Sequence, residues 1–366
     1  MSRLSVPLRS RTARTTAFAL AGLSAAAALA GCSGTEAADD SESSGEVTLM
    51  MYSGVVQDNY TEAVVEPFME KYPDITVNYV PAESSSEMLA SLRAEKGNPS
   101  TDVAVMDVSV AATGNEEGIF QPLDPEKVTN LANIDERGRV DGNFGPAVTF
   151  DNLVLLYNTD EVAESPTSWD ALWSNEAAGE VAIDAAPDIQ GLSLMMITNK
   201  MEGADYTQTV EPAVERLEEL APNVQTWAPN PDSYTMVTNG SATTGIGWNA
   251  RAQFYSDESD GNLGVSIPEE GSVFQINTIN LTEGSDSPEA AQTFIDYALS
   301  PEAQAAFAEQ MYYAPTNTET ELSPEVRERT ATTPERLSQM LDVDWSYVAE
   351  KNDEWTEIWR RQILGS

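Results

Sequence analysis

The chain has 366 residues, 60 acidic against 19 basic, a net charge of −41, no histidine and one cysteine. Those counts exclude Ser-His-Asp and Cys-His nucleophiles, His- or Cys-rich metal centres and an intramolecular disulfide, and also a nucleic-acid partner, which needs clustered Lys and Arg. Apolar residues at 41% and aromatics at 8% supply enough burial for a folded chain, with about two domains at this length.

Arg3, Arg9, Arg11 and Arg14 make a basic start without an acid, followed by small apolar residues over 17–30. That run is shorter than the roughly 20 residues a membrane-spanning helix needs and fits the apolar core of a secretory signal peptide. It ends in Leu29-Ala30-Gly31-Cys32, which is similar to a bacterial lipobox. The expectation is a leader over 1–31 and a lipidated Cys32; the alternative for that thiol is burial in a core. Without the leader the chain keeps 15 basic and 60 acidic residues, a charge of −45. Residues 32–45 are small, polar and acidic (Glu36, Asp39, Asp40, Glu42) and read as a flexible tether. No second apolar run reaches membrane-spanning length.

Residues 47–52 read as a buried strand, broken by Ser53-Gly54. Apolar residues at helical spacing follow over 60–72, then a turn at Pro73-Asp74 and a strand over 75–80. A helix over 84–95 begins in a serine cluster and is followed by Asn98-Pro99 and a buried strand over 103–106. This alternation predicts a mainly parallel sheet covered on both faces. The pattern restarts with paired strands over 148–150 and 153–157, a short helix over 169–173 and a strand over 181–183. Helices near 190–201 and over 209–220 come next, then strands over 241–248, 264–267 and 273–281. Two helices with early prolines cover 288–299 and 301–310, and an amphipathic helix bearing Trp355 and Trp359 covers 345–363. Two α/β units with a late returning strand predict two lobes, a hinge and a cleft between them.

Seven stretches carry a resemblance: Asn98-Pro-Ser-Thr-Asp-Val-Ala-Val-Met-Asp107, Gly118-Ile-Phe-Gln-Pro-Leu123, Leu155-Leu-Tyr-Asn-Thr-Asp160, Pro166-Thr-Ser-Trp-Asp-Ala-Leu-Trp173, Gly245-Ile-Gly-Trp-Asn249, Pro268-Glu-Glu-Gly271 and Tyr313-Ala-Pro-Thr-Asn317. In this order, behind a lipobox, the chain resembles the extracellular solute-binding proteins of ABC importers, in particular the spermidine/putrescine-binding cluster. The resemblance covers most of 46–330. It implies a periplasmic-binding-protein-like α/β fold, with one lobe from 46–149 plus about 278–320 and the other from 150–277 plus about 321–366. It also implies a monomer held at the outer face of the cell membrane, capture of a small polar solute without chemistry or cofactor, and delivery to a permease and its ATPase.

Site residues follow from the same resemblance. Polyamine binders of this kind sandwich the methylene chain between aromatic rings and hold its ammonium ends with carboxylates, since the ligand alternates apolar stem and cation. Ser53 and Gly54 stand where those proteins carry a Trp-Thr or similar pair, so one aromatic wall is expected to be missing. Asp107 and Ser109 follow the third strand, and Asp107 reads equally as a ligand acceptor or as the cap of the next helix. Asp184 and Asp188 lie near a place where the family has acids, and either also reads as solvated surface. Trp248 matches the family's cleft tryptophan and Tyr313 its cleft tyrosine. On the returning strand Gln275 and Asn277 replace a tryptophan and an aspartate, leaving hydrogen bonding without charge. Tyr234 and Tyr255 read as packing residues. A polyamine, a smaller cationic or zwitterionic amine and a neutral polar solute stay open as ligands. Tyr312-Tyr313 raises the alternative of a ferric-ion binder of the same superfamily, and the many carboxylates that of a carboxylate-dependent hydrolase. The acids are spread over the whole chain, so the charge reads as a surface suited to concentrated salt.

Overall fold

The computed structural model describes residues 44–174 and 178–365. The leader, Cys32 and nearly all of the tether lie outside the described residues. Gly54, at φ 71°, ends the first strand and starts a helix at once. The order is therefore β1 (Gly45–Tyr52), α1 (Val55–Tyr60), a π-turn (Thr61–Val65), α2 (Glu66–Lys71), β2 (Ile75–Ala82), α3 (Ser85–Ala94), β3 (Val103–Asp107), α4 (Val108–Glu116) and β4 (Phe120–Gln121). A turn-rich stretch leads to β5 (Ala147–Asn158). Then come β6 (Val181–Ala182), α5 (Ile189–Met201), α6 (Glu211–Leu220), β7 (Val224–Thr226), α7 (Ser233–Thr238), β8 (Thr244–Trp248), α8 (Asn249–Glu258), β9 (Leu263–Ser266) and β10 (Phe274–Thr282). The last described elements are α9 (Pro288–Ala298), α10 (Pro301–Met311), α11 (Pro324–Arg329), α12 (Pro334–Gln339), α13 (Trp345–Ile358) and a π-turn (Trp359–Ile363).

The strands join in one open mixed sheet of order β2-β1-β3-β10-β5-β8-β6-β7, with β4 beside β10 and β9 beside β5. β1 pairs in parallel with β2 and β3, and β6 in parallel with β7 and β8, so each half holds a parallel set. The expected pair of strands over 148–150 and 153–157 is a single strand, β5. Its first part, through Asn152, pairs with β10, and from Leu153 onward it pairs with β8. Asp151 and Asn152 resemble a turn in sequence, but both are buried inside the strand, at 2% and 1% exposure.

Each half packs its own apolar cluster. Phe68 centres the first, its ring 5.1 Å from that of Phe294 and edge-on to it. Trp169, Trp355 and Trp359 belong to the second, together with Leu153 and Ile246 from the sheet. No helix among the described residues is long and apolar enough to cross a membrane.

Candidate ligand-binding site

In open α/β sheets ligands bind beyond the carboxyl ends of parallel strands, where helix N-termini gather. Both halves of this sheet build such an edge. α1, α3 and α4 begin after β1, β2 and β3, and α5, α7 and α8 after β6, β7 and β8. The exposed N–H groups of the first turns need acceptors. Ser84 caps α3, Asp107 caps α4, Asp188 caps α5 and Asp232 caps α7.

Asp107 is buried at 8% exposure and accepts from the backbone N–H of Ser109 at 2.9 Å and from its hydroxyl at 2.6 Å. Capping is therefore its role in this structure; burial raises its pKa and the two Ser109 hydrogen bonds oppose the rise. Asn277, opposite Asp107 in the ladder, is also occupied. It accepts from the Tyr52 hydroxyl at 3.0 Å and donates to Thr149 at 3.1 Å. Gln275 is half-buried, and no hydrogen-bond partner for its amide occurs among the described residues. Ser53 donates to Glu83 at 3.0 Å, and Gly54 is exposed with open space beside it. The ring at the tip of β1 is Tyr52, one residue before the place where an aromatic wall was expected to be lacking. Its hydroxyl also meets Ser85 at 2.7 Å.

In the second half Asp184 is half-buried and forms no ion pair among the described residues. Burial, then the charges of Asp188 and Asp232, push its pKa up to about 6. Asp188 accepts from the Gln190 N–H at 2.8 Å as the cap of α5. Trp248 is half-buried at the start of α8, packed against the second cluster. Its backbone N–H donates to the Tyr234 hydroxyl at 2.6 Å. Gly247 makes that contact possible: a Cβ there would lie 2.5 Å from the Tyr234 ring. Tyr234 is buried and edge-on to Tyr255, which opposes its displacement. Gly247→Ala is therefore expected to cost about 1–3 kcal/mol, measured by denaturant unfolding, and to shift Trp248 fluorescence. Unchanged stability and emission would show that Tyr234 moves freely.

Arg251, in the first turn of α8, is the charged group that reading the sequence passed over. It forms no ion pair among the described residues, and its guanidinium lies 5.9 Å from the centre of the Tyr234 ring. Partial desolvation works against its charge, while Tyr234, Tyr313, Tyr255 and Asp232 support it. Tyr313 lies in the field of Asp151, Arg251, Tyr52 and Tyr234, residues of both halves, and burial raises its pKa. Its ring stacks on Phe307 at 5.1 Å. Tyr312 turns elsewhere: its hydroxyl donates to Asp257 at 2.7 Å and accepts from Arg329 at 2.6 Å. The two tyrosines therefore do not present a joint pair of phenolates to an iron ion. On the opposite face of β5 from Asp151, Phe150 lines a separate cavity of about 240 Å³ with Phe274, Leu337, Arg137 and Arg327.

The corner thus gathers tyrosines and a tryptophan, carboxylates at Asp184, Asp188 and Asp232, and a cation at Arg251. Residues 63–334 match the family described as bacterial extracellular solute-binding protein. The spermidine/putrescine-binding periplasmic protein of Escherichia coli (strain K12) is 28% identical over 282 residues, 73% of this chain and 79% of that one. The gamma-aminobutyric acid-binding protein of Pseudomonas aeruginosa is 24% identical over 322 residues, 84% of this chain and 88% of its own. Among solved structures, an ABC transporter protein from Clostridium perfringens superposes with a TM-score of 0.70 at 27% identity, covering 87% of this chain and 99% of that one. These relatives and neighbours are solute-binding proteins of transport systems, not enzymes. The chain belongs to the bacterial extracellular solute-binding proteins, the extracytoplasmic substrate-binding components of ABC transporters.

Proposed function

We propose that this protein is a lipid-anchored, monomeric receptor of an ABC importer that captures a small amine between two lobes and delivers it to a permease and its ATPase. The amine favoured by the residues present is an amino-carboxylate. The observation that carries this is Arg251: a cation with no ionic partner among the described residues, beside Asp232, which also bears on Asp184. A ligand with an ammonium at one end and a carboxylate at the other meets both signs of charge. A polyamine would find carboxylates at Asp184, Asp188 and Asp232 and stacking surfaces at Trp248 and Tyr313, but also an opposing charge at Arg251. The second reading, a polyamine, rests on those three acids.

The lobes would be 46–149 plus about 278–320 and 150–277 plus about 321–366. The separate apolar clusters support that division, with β5 as one connection between halves. Ligand held by both lobes only when they close would shift the population toward the closed form by its differential affinity. Anchoring would use Cys32 after cleavage of 1–31.

Calorimetry on the purified protein with γ-aminobutyrate, putrescine and spermidine tests the ligand class. Heat with γ-aminobutyrate and little with the diamines supports the amino-carboxylate; the reverse order supports the polyamine. No heat with any of them at millimolar concentration ends both readings. A true ligand at a hundred times its Kd also stabilises the fold by about 2.7 kcal/mol.

Asp184 sets a pH dependence. An ammonium group prefers the ionised carboxylate, which a proton displaces as pH falls through about 6. Affinity at pH 5 is expected to be roughly tenfold below that at pH 7.5, and Asp184→Asn should lose this acid limb. Without ligand the sign reverses. The folded state holds the proton more tightly than the unfolded one, whose value is near 3.8, so this group's contribution to stability falls as pH rises from there through about 6.

A further inference from the structure

We propose that Asp151 is a positioning residue that ties the strand shared by both halves to the helix turn carrying the ligand-binding cation. Asp151 sits in β5 two residues before Leu153, the ladder partner of Trp248. Its carboxylate accepts from the Ala250 N–H of α8 at 3.0 Å and from the Asn152 N–H at 2.8 Å. α8 needs this help, because its own cap position is Trp248, which offers no side-chain cap. A first-turn N–H is therefore satisfied from a strand about a hundred residues earlier in the chain.

Other bonds hold the same corner, two of them from outside α8 to its first residues and to its cap. Tyr234 accepts from the Trp248 N–H, and the Asn249 side chain donates to the Arg329 carbonyl at 2.9 Å. Neither satisfies the N–H of Ala250, the residue before Arg251. Among the described residues Asp151 alone joins that N–H to β5, at the point where β5 passes from β10 to β8. Movement of one half against the other is thereby transmitted to the turn that aims Arg251. A carboxylate at 2% exposure is unfavourable unless its hydrogen bonds need its charge. The charged or titratable groups facing it are Arg251 on α8, Tyr234 on α7 and Tyr313 after α10; its ladder neighbour on β10 is the uncharged Gln275. Burial outweighs the hydrogen bonds and Arg251 and pushes the pKa up to about 7. The ionised form holds the helix turn, and the hold weakens as pH falls from 8 to 6.

The inference rests on the reading of Arg251 as a ligand group, and two readouts keep them apart. Amide hydrogen exchange without ligand follows residues 250–252 in the wild-type protein and in Asp151→Asn. Protection of these amides is expected to fall about tenfold in the variant, and in the wild type as pH drops from 8 to 6, with the rest of α8 unchanged. Calorimetry with γ-aminobutyrate is then expected to show about tenfold weaker binding for Asp151→Asn, with the wild type's pH dependence between 6.5 and 8 abolished and the Asp184 limb retained. If γ-aminobutyrate does not bind the wild type, the ligand reading fails while exchange still judges Asp151. Equal protection at both pH values in the wild type overturns the proposal even if the variant does not fold. A variant with wild-type affinity and pH profile overturns it as well.

Discussion

Arg251→Ala is expected to weaken γ-aminobutyrate binding by about 2 kcal/mol, or some 30-fold in Kd, in calorimetry at neutral pH. This lies at the low end for losing one partner of a charge pair, because Arg251 is exposed before ligand arrives. Putrescine should bind the variant as well as or better than the wild type, since a repelling charge is gone. Arg251→Lys keeps the charge but loses the planar fork, and should fall between the two. The contrast between ligands is the informative part. Equal losses for both would mean that the substitution damages the corner as a whole, and no loss for γ-aminobutyrate would leave the carboxylate end of the ligand without its proposed partner.

Trp169→Ala is expected to cost about 3–5 kcal/mol in denaturant unfolding. Trp169 is fully buried in the cluster of the second half. Its indole N–H donates to the Gly271 carbonyl at 2.8 Å, three residues before β10 begins. Alanine leaves a cavity and an orphaned carbonyl together. Trp169→Phe keeps most of the packing and should cost clearly less. A loss under about 1 kcal/mol for the alanine variant would mean that the cluster collapses around the gap. Gly271 carries β10 toward Gln275, so the alanine variant should also weaken ligand binding through that strand.

Most of the sheet was legible because buried parallel strands are continuous apolar runs. The runs at 47–52, 75–80, 103–106 and 273–281 all became strands close to those bounds. β5 was misread as two because Asp151-Asn152 interrupts its apolar pattern. The carboxylate inside the strand is satisfied by the helix start at Ala250, and no local pattern reveals a partner that distant. The first helix was placed too late for a simpler reason: Gly54, Gln57, Asp58 and Asn59 dilute its apolar spacing, although Val56 and Tyr60 are buried.

The site was only partly legible. Asp107 allowed a capping role and is a cap here, whereas Asp188, which read as a ligand acid or solvated surface, is also a cap. Asn277 looked like a free ligand amide but is held by Tyr52 and Thr149, neither of which is near it in sequence. Arg251 carried a faint signal as a lone base between Arg216 and Arg327, three residues after Trp248. Its significance appears only where Tyr313 and Asp232 come to face it.

By itself the sequence determined what this protein is not, and its broad architecture. Without histidine and with one cysteine most catalytic chemistry has no residues to use, and hydrophobic period and length give strands and helices from local pattern. Tertiary structure decided which acids are consumed by helix starts, which tyrosine joins the corner, and that Arg251 there forms no ion pair among the described residues. The reason is range. A strand is specified by neighbours a few residues away, whereas each group at this corner takes its meaning from partners such as Asp151 and Ala250, or Tyr52 and Asn277, brought together only when the two halves of the sheet are joined.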